Sequence, residues 1–250
     1  MANIYFPNTI STIFLGDGGG IPIVKENSNK LTSIIITHPG GNFTKTSEFF
    51  DSLKNAPNLN FLSLSRISKM GISSLSDCLN YELNSVNTLS LLGEKDLSII
   101  KDLKGIEKFT NLKTLKVTVT NVILDISAIK NCPTLESVTL QNCNINSLNG
   151  IEGLTNLKSL IINYNNITAL KPLESLKNLT TLNLENNAIA DTASYVDTDG
   201  STKTYRNLDI LANLNSKRNG KLTELYLAGN DNIIDYSPVS NLSWSNKSGF

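Results

Sequence analysis

The stretch "LKSLIINYNNITAL", residues 157–170, decides the reading of the chain. Leu157, Leu160 and Ile162 follow the spacing of a short buried strand. Four polar side chains, Asn163, Tyr164, Asn165 and Asn166, then break it before Ile167 and Leu170 resume. Asparagine is depleted in strands and favoured in turns. The block therefore reads as a strand that ends in a bend, with an amide required at one fixed place. It also recurs: its first apolar mark falls at Leu135, Leu157 and Leu179, in steps of 22 residues. A period of this length is the mark of a stacked repeat.

The same marks can be set along most of the chain, at Leu222 (with Leu225, Leu227, Asn230), Leu112 (Leu115, Val117), Val86 (Leu89, Leu91), Leu59 (Leu62, Leu64) and Leu31 (Ile34, Ile36). Two segments, "GIEKFTNLKTL" (105–115) and "GIEGLTNLKSL" (150–160), are near copies. Each unit reads as a strand, a turn and a return segment that cannot bury its apolar side alone, so neighbours stack into one core. Residues at the fourth and sixth places point inward by strand alternation. The amide at the ninth place then sits inside, at the bend, where backbone groups would otherwise go unpaired. Its donors and acceptor can serve adjacent turns as a ladder of rungs. Asn165, Asn187 and Asn230 occupy that place, and Cys143 fills another. In the first half Thr120 could stand in, whereas Glu94, Ile67 and Pro39 cannot make the same bonds.

This pattern, L-x-x-L-x-L-x-x-N/C-x-L at 22 residues, resembles the leucine-rich repeat family, in the short class found in bacterial internalin-like proteins and in phosphatase-regulatory subunits. The resemblance implies an α/β, right-handed solenoid. Its parallel sheet would line the concave face, with helices and then short 3-10 or extended segments on the convex face. It also implies a non-enzymatic module that binds a protein.

Early marks stand further apart than 22 residues, and the intervening sequence has helical spacing. "TSEFFDSLKN" (46–55), "SSLSDCLNYEL" (73–83) and "LSIIKDLKGIEKF" (97–109) are expected as helical returns. Residues 1–30 read as an N-terminal cap formed by a hairpin or strand pair, 31–242 as about eight repeat strands, and 243–250 as a tail. From Leu179 to Leu222 the step is close to two periods, and an Asp-Gly turn lies between polar arms bearing Tyr195 and Tyr205. A projecting hairpin is expected near 190–206, overhanging the concave face.

Little in the sequence speaks for chemistry. The single histidine, His38, precedes a proline, and no nucleophile elbow or placed pair of acids is recognisable. "GDGGG" lacks the Lys-Ser/Thr of a phosphate loop. Asp197 and Asp199 lack the remaining ligands of a calcium loop. Three cysteines without CxxC spacing argue against a disulfide framework or zinc site. No enzyme activity, cofactor or metal is expected. Twenty-two basic residues balance 22 acidic ones, so neither a nucleic-acid stripe nor a polybasic membrane patch is visible. No run is long enough to embed in a membrane, and a monomer is expected. A cytoplasmic location follows if Met1 is the native start, and a secreted or surface one if a signal was removed. Sequons occur at Asn42, Asn166, Asn178, Asn241 and Asn246.

Outward places alternate with the core ones. Most are small and hydroxylic, but Ile161 and Tyr226, rimmed by Asn163, Asn183, Glu185 and Glu224, read as an apolar centre with a polar edge. These six are the candidate partner-binding residues. The rival functions are a regulatory subunit of an enzyme and a structural scaffold.

Overall fold

The computed structural model describes residues 3–16, 21–37, 46–66, 70–93, 100–118 and 122–250. The chain divides into two compact units, Met1–Leu124 and Asp125–Phe250.

In the first unit, β1 (Asn3–Tyr5) pairs in parallel with β3 (Ile21–Ile23). Five strands, β2 (Thr12–Leu15), β4 (Ser33–Ile36), β5 (Phe61–Ser65), β6 (Thr88–Leu92) and β7 (Thr114–Thr118), follow one another in parallel. The pairing register is the one the apolar marks set: Ile34, Leu62, Leu89 and Leu115 stand opposite each other, and all are fully buried. Every inward side chain thus meets its equivalent in the next coil, which is how a repeat too small to fold alone builds a core.

The second unit repeats the scheme with β8 (Ser137–Gln141), β9 (Ser159–Ile161), β10 (Thr181–Asn183), β13 (Glu224–Tyr226) and β14 (Asn246–Ser248), all parallel. Between β10 and β13 the chain makes an antiparallel hairpin of β11 (Thr192–Val196) and β12 (Thr202–Arg206), then α2 (Asn207–Leu214). A last helix, α3 (Ser237–Ser240), precedes β14.

Three features depart from the sequence reading. First, β2 joins the parallel sheet beside β4, so residues 12–15 are a strand of the stack. Ile10, Ile13 and Leu15 carry the same spacing as the later marks, a signal that short length and the glycines behind it obscured. Second, β14 lies in the stretch expected as a tail, with Asn246, Lys247 and Ser248 opposite Glu224, Leu225 and Tyr226. Third, of the three segments expected as helical returns, only the first is an α-helix, α1 (Thr46–Ser52). The second shrinks to a 3-10 turn at Leu75–Asp77, held by a capping box of Ser74 and Asp77. Its Ser, Asp, Cys and Asn are weak helix formers. The third is limited among the described residues to Ile106–Lys108, because Gly105 takes φ +92° just before it. The ninth-place residues of the first half, Pro39, Ile67, Glu94 and Thr120, lie outside the described residues, as do His38, Asn42 and most of "GDGGG".

The near copies around Gly105 and Gly150 now have a cause. Both glycines are left-handed, and a Cβ on either would come within 2.5 Å of Ser76 N or 2.6 Å of Ser127 O. Only glycine fits there. The glutamate two residues on closes the turn: Gly105 N donates to Glu107 Oε2 at 3.0 Å and Gly150 N to Glu152 Oε2 at 2.8 Å.

Candidate functional site

The bend after each strand explains the polar block of the opening stretch. Asn142, Tyr164, Asn186 and Gly229 hold equivalent places and all have positive φ, of 57°, 56°, 53° and 74°. A left-handed residue turns the chain out of the sheet; glycine and asparagine tolerate it, and a tyrosine does so at a cost.

One residue later comes the amide rung. Asn165 Oδ1 accepts from Cys143 N and Ile145 N, both at 3.0 Å. Its Nδ2 donates to Leu140 O, Ile162 O and Asn163 O at 2.8, 3.0 and 3.1 Å. Asn187 repeats this with Ile167 N (3.0 Å) and with Ile162 O and Leu184 O (3.1 and 3.0 Å). Asn230 accepts from Ile189 N at 3.2 Å and donates to Leu184 O and Leu227 O. Cys143 is buried at its place, and its thiol donates to Gln141 O at 3.3 Å.

Sequence reasoning missed three further amide roles. Asn58, Asn111, Asn156 and Asn178, each just before a first-place leucine, donate to Asn29 O, Asn84 O, Pro133 O and Thr155 O of the preceding coil. Their recurring Asn-Leu pair was the available signal. Asn207, fully buried, accepts from Leu170 N at 2.9 Å and donates to Thr168 O and Ala190 O, stitching the insertion to the coil before it. Asn215, equally buried, donates to Leu222 O and Ser243 O.

The six candidate partner-binding residues all stand on the sheet face turned away from the core. Laterally, Ser159, Thr181, Glu224 and Asn246 form one row, and Ile161, Asn183, Tyr226 and Ser248 the next. Asn163, Glu185 and Ala228 follow, since Tyr164 N donates to Glu185 O and Asn186 N to Ala228 O. Two expectations are corrected here. Ile161 is half-buried rather than exposed. It does not adjoin Tyr226 either: Asn183 stands between them, so the two are two strand spacings, about 10 Å, apart. The apolar centre is divided by an amide.

The polar groups on this face are organised around Tyr226. Its lateral neighbours are Asn183 on one side and Ser248 on the other. Glu185 takes bonds from both: Asn183 Nδ2 donates to Oε2 at 3.2 Å and Ser248 Oγ to Oε1 at 2.5 Å. The carboxylate thereby links β10 to β14 across β13. Asn183 Oδ1 also accepts from Glu185 N at 2.9 Å, and Glu224 Oε2 accepts from Thr181 Oγ1 at 3.0 Å. Asn163 is only 7% exposed, and its Oδ1 is buried with no hydrogen-bond donor.

The hairpin does not wall this face. Its base packs on the return side, where Tyr205 Oη accepts from Lys171 N at 3.0 Å and Tyr195 meets Tyr205 edge-on at 5.9 Å. A cavity of about 430 Å³ opens there, lined in part by Asn149, Glu152, Lys171, Tyr195 and Tyr205. The Lys171 ammonium is already engaged, 2.6 Å from Glu174 and 5.0 Å from the Tyr195 ring centroid. Asp197 and Asp199 serve the hairpin turn itself, accepting from Thr198 N and Ser201 N. The hydrogen bonds from Ser201 hold the Asp199 carboxyl below its usual range. Among the described residues, no cluster of His, Cys, Asp and Glu is arranged to hold a metal, and no helix is long and apolar enough to cross a membrane.

Residues 155–195 match the family model for leucine-rich repeats in two copies. Over that segment the chain is similar to leucine-rich repeats. Its fold is that of internalin F from Listeria monocytogenes, with 18% identity and a TM-score of 0.56 over 94% of this chain and 73% of that one. It is also similar to TLR13, crystallised as a complex with ssRNA13, at 20% identity and a TM-score of 0.57, covering 88% of this chain and 29% of that one. Internalin C2 of the same bacterium matches at 28% identity over 64% of this chain and 69% of its own, with a TM-score of 0.45. No curated protein sequence matches the chain. The parallel strands and short returns of each unit are those of an α/β leucine-rich-repeat fold.

Proposed function

We propose that the protein is a non-catalytic recognition module whose sheet face in the second unit, Asp125–Phe250, holds a protein partner. One observation carries this reading. The outward residues of β8, β9, β10, β13 and β14 are covered by no helix or strand of their own unit, yet Glu185, Asn183, Tyr226 and Ser248 are tied to one another by side-chain bonds and register rather than left as a random solvated surface. Groups already ordered lose less entropy on binding. A standard partner footprint, about 800 Å² per side, fits a five-stranded face.

A nucleic-acid ligand, as in the TLR13 complex, is disfavoured here. The face carries two carboxylates and, at its outward places, no lysine or arginine, whereas phosphate backbones are met by cations. The test is a double variant, Tyr226→Ala with Ile161→Asp, in affinity capture followed by titration of the captured protein. Loss of binding by more than about a hundredfold, with circular dichroism unchanged, is expected for substitutions at the centre of an interface. Full retention of binding would place the partner elsewhere.

A further inference from the structure

Resting on that reading of the sheet face, we infer that its centre receives a cationic side chain, lysine or arginine, of the protein partner, held between the Glu185 carboxylate and the Tyr226 ring. The hydrogen-bonding polarity of the face comes first. Glu185 and Glu224 accept only from neutral donors, Ser248 and Asn183 for the one and Thr181 for the other. Among the described residues neither has an ion-pair partner, although Lys158, Lys171 and Arg206 elsewhere in the same unit are each paired with an acid. Neutral hydroxyl and amide donors leave a carboxylate's charge uncompensated, and a cationic donor makes the stronger bond.

Asn163 is the second, independent observation. Its Oδ1 is a buried acceptor with no donor, a rare condition in folded proteins and a mark of something missing. It shares a row with Glu185 on the next strand. Its lateral neighbour on the other side, Gln141, has a long side chain that can swing aside to admit an N–H. The one buried polar atom left unmet on this face therefore calls for a donor.

The ring supplies the third element. Asn183 and Ser248 flank the half-buried Tyr226, and Glu185 bonds to both, one on each side of the tyrosine's strand. A cation beside the carboxylate can also lie over the π-face. An anionic side chain would be repelled there, and an apolar one would strip water from carboxylates without pairing them.

The probe is a phage-displayed library of random peptides panned on the immobilised full chain, in low salt. Peptides that bind the natural protein but not the Tyr226→Ala variant define face binders. These should be enriched in lysine or arginine, weaken about tenfold on Glu185→Gln, and weaken on added salt, as expected for a charge pair lost or screened. Glu185→Gln keeps the shape and an oxygen for Ser248, so the folded face survives the change. Asn163→Asp, which adds negative charge at the orphaned acceptor, should tighten the same peptides. Face binders without basic residues, or indifferent to Glu185→Gln, would overturn the cation inference and leave the face reading standing. Binders that ignore the Tyr226→Ala change would overturn both.

Discussion

Replacing Asn165 by alanine removes the most heavily used rung of the amide ladder. Its Oδ1 serves two backbone donors, Cys143 N and Ile145 N, and its Nδ2 three carbonyls. The carbonyl of Ile162 remains served by Asn187 Nδ2, but both N–H groups lose their acceptor in a site that is buried on every side. Each unsatisfied buried group costs about 1–3 kcal/mol, and partial relaxation brings the total to about 3 kcal/mol. With a urea slope near 3 kcal/mol per molar, the unfolding midpoint should fall by about 1 M. Trp244, the only tryptophan, lies in the second unit, where its indole donates to Val239 O. Its fluorescence therefore reports the unfolding of the unit under test. Asn187→Ala orphans one N–H instead of two and should cost less, about 2 kcal/mol by the same rule. The exposed Asn166, changed to alanine, should move stability by less than about 0.5 kcal/mol. Equal midpoints for the Asn165 and Asn166 variants would refute the ladder account.

Gly150→Ala forces a Cβ against Ser127 at a left-handed φ and should destabilise by roughly 2–4 kcal/mol, whereas Gly153→Ala, with nothing nearer than 3.7 Å, should leave the stability measured in urea within about 0.5 kcal/mol. Tyr164→Asn relieves a left-handed tyrosine and should raise thermal stability by about 0.5 kcal/mol, while Tyr164→Val should lower it by about 1 kcal/mol; a reversed order in differential scanning fluorimetry would contradict the bend assignment. Burial, with Asp77 nearby, pushes the Cys78 thiol from near 9.0 up to about 12. The folded state then holds its proton where the unfolded chain has lost it, so stability should be intact below pH 9 and decline toward pH 12, a decline that Cys78→Val should lessen in urea titrations across that range.

The core was legible because its signal is redundant. Eight blocks share one register, and a slip of one residue would turn every inward leucine to solvent. The structure keeps that register even in the widely spaced first half, where Ile34, Leu62, Leu89 and Leu115 align. What escaped reading was set by neighbours rather than by period. Asn207 lies in the insertion, outside the periodic places, so it could not be recognised as a stitch until Leu170, Thr168 and Ala190 were seen around it. The helical spacing of Leu75, Cys78 and Leu79 was real, but it spans a single 3-10 turn. Likewise the face residues were correctly assigned to the outer side, yet their adjacency was not. Ile161 and Tyr226 are separated by β10, and no property of either residue says so.

The ladder and the face are mechanically joined through the same short stretch. Asn165 Nδ2 donates to the carbonyl of Asn163, two residues earlier, and Asn187 Nδ2 reaches the carbonyl of Glu185 at 3.3 Å. Each inward amide therefore fixes the backbone of an outward residue, Asn163 in one coil and Glu185 in the next. A side chain whose backbone is held loses less freedom when a partner engages it. The consensus asparagine thus does more than close a bend: it aims the variable residue two places before it. The outward residue differs between these coils, Asn163 in one and Glu185 in the next, while the inward asparagine is the same in both. In "INYNN" (162–166) the two roles stand on either side of a left-handed tyrosine, and the turn at Tyr164 is what sends Asn163 to the face and Asn165 to the core.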